Sequence, residues 1–191
     1  MRPVIGDRDD QEVETPTRPL RILIADDHPL IRGALRHDLE RGGLEVCADV
    51  ATGAAAVQAA LRERPDLCLL DIQMPHGGGI AATVAIRRSL PGTKIVLITA
   101  VPDEDGVLAA ARAGADGYLP KDIDPRRLPQ AIRAVAGGET SYPRRLLWPL
   151  LHALRQATLA LRNLNAQSSP APLPACRGSG NVNEAPRGTQ A

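Results

Sequence analysis

The chain has 191 residues and a formal net charge of +1, so no global field draws it to nucleic acid or an anionic membrane. Hydrophobic residues make up 43%, enough for a core, but with no Phe, one Trp and two Tyr that core must be aliphatic. A base-stacking platform, which needs several aromatics, is excluded.

Met1 to Pro19 is polar and mixed in charge, with Asp7, Asp9, Asp10, Glu12 and Glu14 and no apolar run. It reads as a disordered arm over residues 1–19 and not as a signal peptide. Leu20 to Ala25 is a first buried strand, closed by Asp26-Asp27. His28-Pro29 opens a helix, with Asp27 the expected N-cap, Pro29 near N1 and Arg41-Gly42-Gly43 at its end. Leu44 to Val50, interrupted by Glu45 and Asp49, reads as an edge strand, and Gly53 to Arg64 as an alanine-rich helix stopped by Pro65.

The third strand, Leu67-Cys68-Leu69-Leu70, is apolar throughout, as a strand buried on both faces must be. It ends on Asp71, after which Pro75 and Gly77-Gly78-Gly79 break the chain. Gly79 to Ser89 is helical, Lys94 to Ala100 is a fourth buried strand, and Asp103 to Ala113 is a helix closed by Gly114. Gly117 to Pro120 is a short fifth strand ending at Lys121, and Asp124-Pro125 starts a last helix running to Gly137-Gly138. Pro129 would then fall inside the first turns of that helix, so either the helix starts a turn later or it is kinked.

Five alternations of strand and helix over residues 20–140 predict an α/β domain, a doubly wound parallel sheet in the flavodoxin-like order 2-1-3-4-5. Residues 141–165 are expected to form an amphipathic linker helix, with Leu147, Leu151, Leu154, Thr158 and Leu161 at 4-3-4-3 spacing. Residues 166–191 are expected to be a disordered tail. Cys47 and Cys68 lie in apolar runs, and an odd count with Cys176 and no C-x-x-C spacing argues against a disulfide frame or zinc site. No stretch approaches the roughly 18 apolar residues of a membrane span, and the expected location is the cytoplasm.

The predicted strand order brings Asp26, Asp27 and Asp71 into one cleft at the carboxyl ends of the strands. Three carboxylates there need protons or a cation, and a hard divalent ion such as Mg²⁺ suits oxygen donors that leave room for phosphate. Thr99 and Lys121 end neighbouring strands on the same side, with a hydroxyl and a cation. Such an assembly suits phosphoryl transfer, with Asp71 the candidate nucleophile. His28 and His76 flank the cleft and read as loop residues; the triple glycine is weak evidence for a phosphate cradle, lacking the G-x-x-x-x-G-K-[ST] pattern.

The motifs Asp26-Asp27-His28-Pro29, Asp71-Ile72-Gln73-Met74-Pro75, Gly79, Thr99-Ala100 and Gly117-Tyr118-Leu119-Pro120-Lys121-Asp122 together resemble the receiver domain of bacterial two-component response regulators. The details resemble the NarL/FixJ (LuxR-type) subfamily. The resemblance implies that Asp71 is phosphorylated by a sensor histidine kinase. It implies that Asp27, Asp71 and the Gln73 carbonyl ligate Mg²⁺ while Asp26 acts through water. Thr99 and Lys121 would contact phosphoryl oxygens, and Tyr118 would change rotamer with Thr99. The chain would not be an enzyme beyond self-catalysed phosphoryl transfer and slow autodephosphorylation. A homodimer would form through helix four, strand five and helix five, or through the linker helix, with Pro129 bearing on the first geometry.

That subfamily normally ends in a helix-turn-helix domain. Nothing after Tyr142 reads as one, and Arg144, Arg145, Arg155 and Arg162 are too spread for a DNA-binding surface, so DNA binding is not supported. The expectation is a phospho-accepting module; the alternative is a DNA-binding regulator truncated or frame-shifted after its receiver. A haloacid-dehalogenase-like phosphatase ranks last, because the D-x-D that group wants after its first strand is not supplied.

Overall fold

A computed structural model describes residues 18–75, 78–148, 151, 152, 155, 156 and 159. Five parallel strands, β1 (Arg21–Ala25), β2 (Glu45–Val50), β3 (Leu67–Asp71), β4 (Lys94–Thr99) and β5 (Gly117–Pro120), form one sheet in the order β2-β1-β3-β4-β5. All five residues of β3 are buried, as are the last five of β4. These strands are near-continuously apolar because helices cover both faces. β2, with no fully buried residue, takes an edge.

The helices are α1 (Pro29–Arg41), α2 (Gly53–Glu63), α3 (Gly78–Ser89), α4 (Glu104–Ala113) and α5 (Leu128–Ala136). Strand alternation divides the core in two. Ile22, Ile24, Leu67, Leu69, Val96 and Ile98 face α1 and α5, packing against Leu35, Leu39, Leu128, Ile132 and Val135. Leu23, Cys68, Leu70, Ile95 and Leu97 face α2, α3 and α4, packing against Ala56, Ala60, Ile86, Val107 and Ala110. Among the described residues no helix is long and apolar enough to cross a membrane.

Three expectations need correction. The N-cap of α1 is His28, not Asp27, since Pro29 takes N1 and the Asp27 carboxylate turns to the cleft. α5 starts at Leu128 and not at Pro125: Asp124 first closes a turn, accepting the Arg126 N–H on its carboxylate at 2.9 Å and the Arg127 N–H on its carbonyl at 2.8 Å. Pro129 then falls in the first helical turn, where a missing N–H breaks no intrahelical bond, and no kink is needed. Its ring packs on Gly42, where a Cβ would stand 2.4 Å from the Pro129 side chain. Lastly, the helical stretch after α5 starts at residue 144; Ser141 belongs to the sheet, bridging Gly117. At the other end Arg18, placed in the arm by its sequence, pairs with Asp66 at 2.7 Å. Residues 1–17 and 160–191, and most of the heptad-spaced linker positions, lie outside the described residues.

Candidate functional site: an acidic cleft at the strand ends

β1 and β3 are neighbours in the sheet, so their carboxyl ends deliver Asp26, Asp27 and Asp71 to one place. The Asp26 side chain is fully buried, and Asp71 is 2% exposed. One ligand atom from each of Asp26, Asp27, His28 and Asp71 lies within 4.8 Å of the others. Lys121, just beyond β5, reaches back across β4: its Nζ is 2.7 Å from Asp26 Oδ2 and 2.8 Å from Asp71 Oδ2. Its main chain is fixed as well, the Lys121 N–H donating to the Thr99 carbonyl at 2.7 Å.

Burial pushes the Asp71 carboxyl above its ordinary pKa, opposed by Lys121 and reinforced by the negative Asp26. For Lys121 burial acts to lower the pKa but is outweighed by the two carboxylates, so the ammonium is held charged. Asp71 Oδ1 also faces the Gln73 N–H at 3.3 Å, the one placement found for Gln73 in the cleft. Thr99 is buried at the end of β4, and its hydroxyl exchanges long contacts of 3.3 and 3.4 Å with the Val101 main chain, tying it to the loop before α4.

Three carboxylates against one ammonium leave an excess of negative charge. Asp26 Oδ2 and Asp27 Oδ1 are sealed from solvent and accept no well-directed hydrogen bond among the described residues. Their nearest company is Lys121 for the first and His28 Nδ1, at 2.7 Å, for the second. Buried carboxylate oxygens left without donors are costly unless a cation completes them. Oxygen donors of this kind fit Mg²⁺. His28, set aside as a loop residue in the sequence, belongs to this cluster; only its adjacency to Asp27 could have signalled that. His76 lies outside the described residues.

Gly78 and Gly79, behind Asp71, serve close approach of the backbone. A Cβ on Gly79 would stand 2.2 Å from the Asp71 carbonyl oxygen, and one on Gly78, at φ +61°, would stand 2.6 Å from the Ile72 carbonyl oxygen. α3 thus starts hard against the end of β3, with Gly79 N–H donating to the Ile72 carbonyl at 3.0 Å. Tyr118 is 1% exposed, its hydroxyl over Gly106, where a Cβ would lie 2.5 Å from it. Burial raises the pKa of this phenol. Burial likewise pushes the Cys68 thiol up to about 12, leaving it inert.

A flavodoxin-like sheet with an acidic cleft and a lysine at its carboxyl edge defines a receiver-type domain. Residues 22–133 match the family described as the response regulator receiver domain, and the chain belongs to that family. Among curated relatives, it is 40% identical over 129 residues to the nitrate/nitrite response regulator protein NarP of Escherichia coli, covering 67% of this chain and 60% of that one. The oxygen regulatory protein NreC of Staphylococcus epidermidis is 37% identical over 135 residues, with 70% and 62% covered. The chain thus spans about three fifths of the length of these relatives. Among solved structures, a LuxR-family response regulator from Aurantimonas superposes with a TM-score of 0.66 at 32% identity, covering 71% of this chain and 97% of that one. The receiver domain of a putative NarL from Mycobacterium tuberculosis gives 0.62 at 32% identity, covering 64% and 99%. The matched region is a receiver domain of the NarL/LuxR type.

Proposed function

We propose that the chain is a cytoplasmic phosphoacceptor: a sensor histidine kinase donates a phosphoryl group to Asp71, and the chain signals by changing conformation. The observation that carries this reading is the buried Asp71 carboxylate with Lys121 Nζ at 2.8 Å and two further carboxylates beside it. In the transfer, an Asp71 Oδ forms the new bond to phosphorus. The P–N bond of the donor phosphohistidine breaks, and its electron pair returns to the imidazole nitrogen. Asp27, Asp71 and the Gln73 carbonyl would hold Mg²⁺, with Asp26 acting through water. Bound there, the ion supplies charge neutralisation for the incoming phosphoryl oxygens.

The chain's own residues do the rest. Lys121 gives a fixed positive charge for one phosphoryl oxygen, and it must leave the Asp71 carboxylate to do so. The Thr99 hydroxyl, held only by long contacts, is free to turn to another oxygen. That movement favours a buried Tyr118, whose ring is already buried. The chemistry is self-catalysed, with no turnover of a separate substrate. Acetyl phosphate with Mg²⁺ should label the wild type and leave Asp71→Asn unlabelled; equal labelling of both refutes the assignment.

The names of the relatives support a second reading for a longer protein, a transcriptional regulator whose DNA-binding part follows the receiver. Salt-dependent binding of the present chain to a promoter fragment would favour it, and no binding at low salt would oppose it.

A further inference from the structure

The turn that carries Asp26 and Asp27 is three residues long, since β1 ends at Ala25 and α1 begins at Pro29. Arg32, the fourth residue of α1, binds this turn on both sides of Asp27. Its main-chain N–H donates to the His28 carbonyl at 3.0 Å. Its side chain leans toward the helix N-terminus, as helical side chains do, and Nη1 donates to the Asp26 carbonyl at 2.8 Å. The Asp26 N–H is taken as well, donating to the Val50 carbonyl at the end of β2 at 3.1 Å. A peptide unit is planar, so holding the Asp26 carbonyl also holds the nitrogen and Cα of Asp27.

Asp49 on β2 sets the direction of the guanidinium, with Oδ1 3.5 Å from Arg32 Nε. The other oxygen of Asp49 accepts Arg36 Nε at 2.8 Å, one turn further along α1. The acidic residue that interrupts the edge strand therefore supports the arginine behind the cleft. Helix stability alone would not select this arrangement. A cation near a helix N-terminus meets the positive end of the dipole. Arg32 also lies behind a cleft whose carboxylates call for a cation of their own. The carbonyl bond and the Asp49 pair must offset both effects.

We infer that Arg32 is a positioning residue for the divalent-ion site: by holding the Asp26 carbonyl it fixes the peptide from which Asp27 projects, and so keeps the Asp27 carboxylate in the cleft beside Asp71. Arg32 touches neither the ion nor the phosphoryl group and acts through Asp27. The inference rests on the metal and phosphoacceptor readings above. Charge and position predict opposite signs here. As a charge alone Arg32 repels the ion, and its removal tightens Mg²⁺ binding. As a positioning residue its removal frees Asp27, and Mg²⁺ binding weakens.

The test is calorimetric titration of the full chain with Mg²⁺, wild type against Arg32→Met. The dissociation constant should rise by about tenfold or more, the usual loss when an outer partner of a metal ligand is removed. In parallel, labelling by acetyl phosphate is followed across Mg²⁺ concentrations. The concentration giving half the maximal rate should rise by the same factor, while the rate at saturating Mg²⁺ is retained; a merely structural arginine would not produce that split. An unchanged or smaller dissociation constant overturns the inference, and so does a loss of the saturated rate with an unchanged half-point. Should Arg32→Met not fold, Arg32→Lys keeps the charge but lacks the fork that spans Asp26 and Asp49. It too must bind Mg²⁺ more weakly, and equal affinity overturns the inference. A wild type that binds no Mg²⁺ refutes the metal assignment itself. One that binds Mg²⁺ but takes no phosphoryl group refutes the phosphoacceptor reading, and the affinities still decide the role of Arg32.

Discussion

Replacing Lys121 with Met removes the one Lys or Arg that contacts the buried Asp26 and Asp71 carboxylates among the described residues, at 2.7 and 2.8 Å. At an effective dielectric of about 20, each contact has a gross Coulomb energy of roughly 6 kcal/mol, most of it cancelled by the cost of taking the charges out of water. Removing one partner of a buried pair costs about 3–5 kcal/mol, because the other is left uncompensated. The Lys121 side chain keeps 11% of its exposure, so about 3 kcal/mol is the appropriate figure. With urea slopes of about 1–3 kcal/mol/M, the unfolding midpoint without divalent ions should fall by roughly 1–3 M. Mg²⁺ should then restore more stability to Lys121→Met than it adds to the wild type, since a cation enters a site that has lost its own. At a hundred times its dissociation constant the ion contributes about 2.7 kcal/mol to any form that binds it, and more where it binds tighter. Urea titrations of both chains, with and without Mg²⁺, decide the matter. An unchanged midpoint without Mg²⁺, or equal Mg²⁺ increments for the two proteins, would refute the reasoning.

Asp71→Asn should be more stable than the wild type at neutral pH. A carboxyl whose folded pKa is raised opposes folding once ionised, so the difference should shrink as pH falls through the raised folded value and level off below the unfolded value of about 4; thermal melts across pH check it. Asp116 gives the opposite sign. Burial acts to raise its pKa but is outweighed by the Ile95 N–H, Lys94 and Arg87, so the net shift is downward. Asp116→Asn should lose about 2 kcal/mol at pH 7, the gap closing as pH falls through the depressed folded pKa; an offset independent of pH would contradict the network. Gly79→Ala must push α3 off the end of β3, because the new Cβ meets a carbonyl oxygen at 2.2 Å. It should cost about 1–3 kcal/mol and slow acetyl-phosphate labelling, and full labelling at unchanged stability would show that α3 can yield there.

The sheet was legible because its central strands are buried on both faces and, after Arg21 and Lys94 at the starts of β1 and β4, carry only apolar residues until the terminal Asp71 and Thr99. Right-handed crossovers leave few topologies open, and the flavodoxin-like order usual for five alternating strands brings Asp26, Asp27 and Asp71 together. Helix starts were harder to read. Asp27 and Asp124 both look like caps, but one serves the cleft and the other closes a turn ahead of α5. Gly78 and Gly79 show no phosphate signature because their work is steric, and only the fold reveals which backbone presses on them. The seating of Ser141, Tyr142 and Leu146 after α5 was hidden for a related reason. A leucine repeat dominates that stretch, while what fastens it is one main-chain bond and two side chains with partners distant in sequence.

Trp148 follows two residues after Leu146, in the helical stretch 144–148, and is 68% exposed. It is the only tryptophan in the chain, and there is no phenylalanine. All indole fluorescence therefore arises from one solvent-facing position in that stretch. A blue shift reports that something has covered it, and greater accessibility to a soluble quencher reports that it has come away. Tyr142, six residues earlier, is a nearby energy donor whose transfer follows local fraying. The protein carries its own optical probe beside β5, and steady-state emission can follow that edge without any added label.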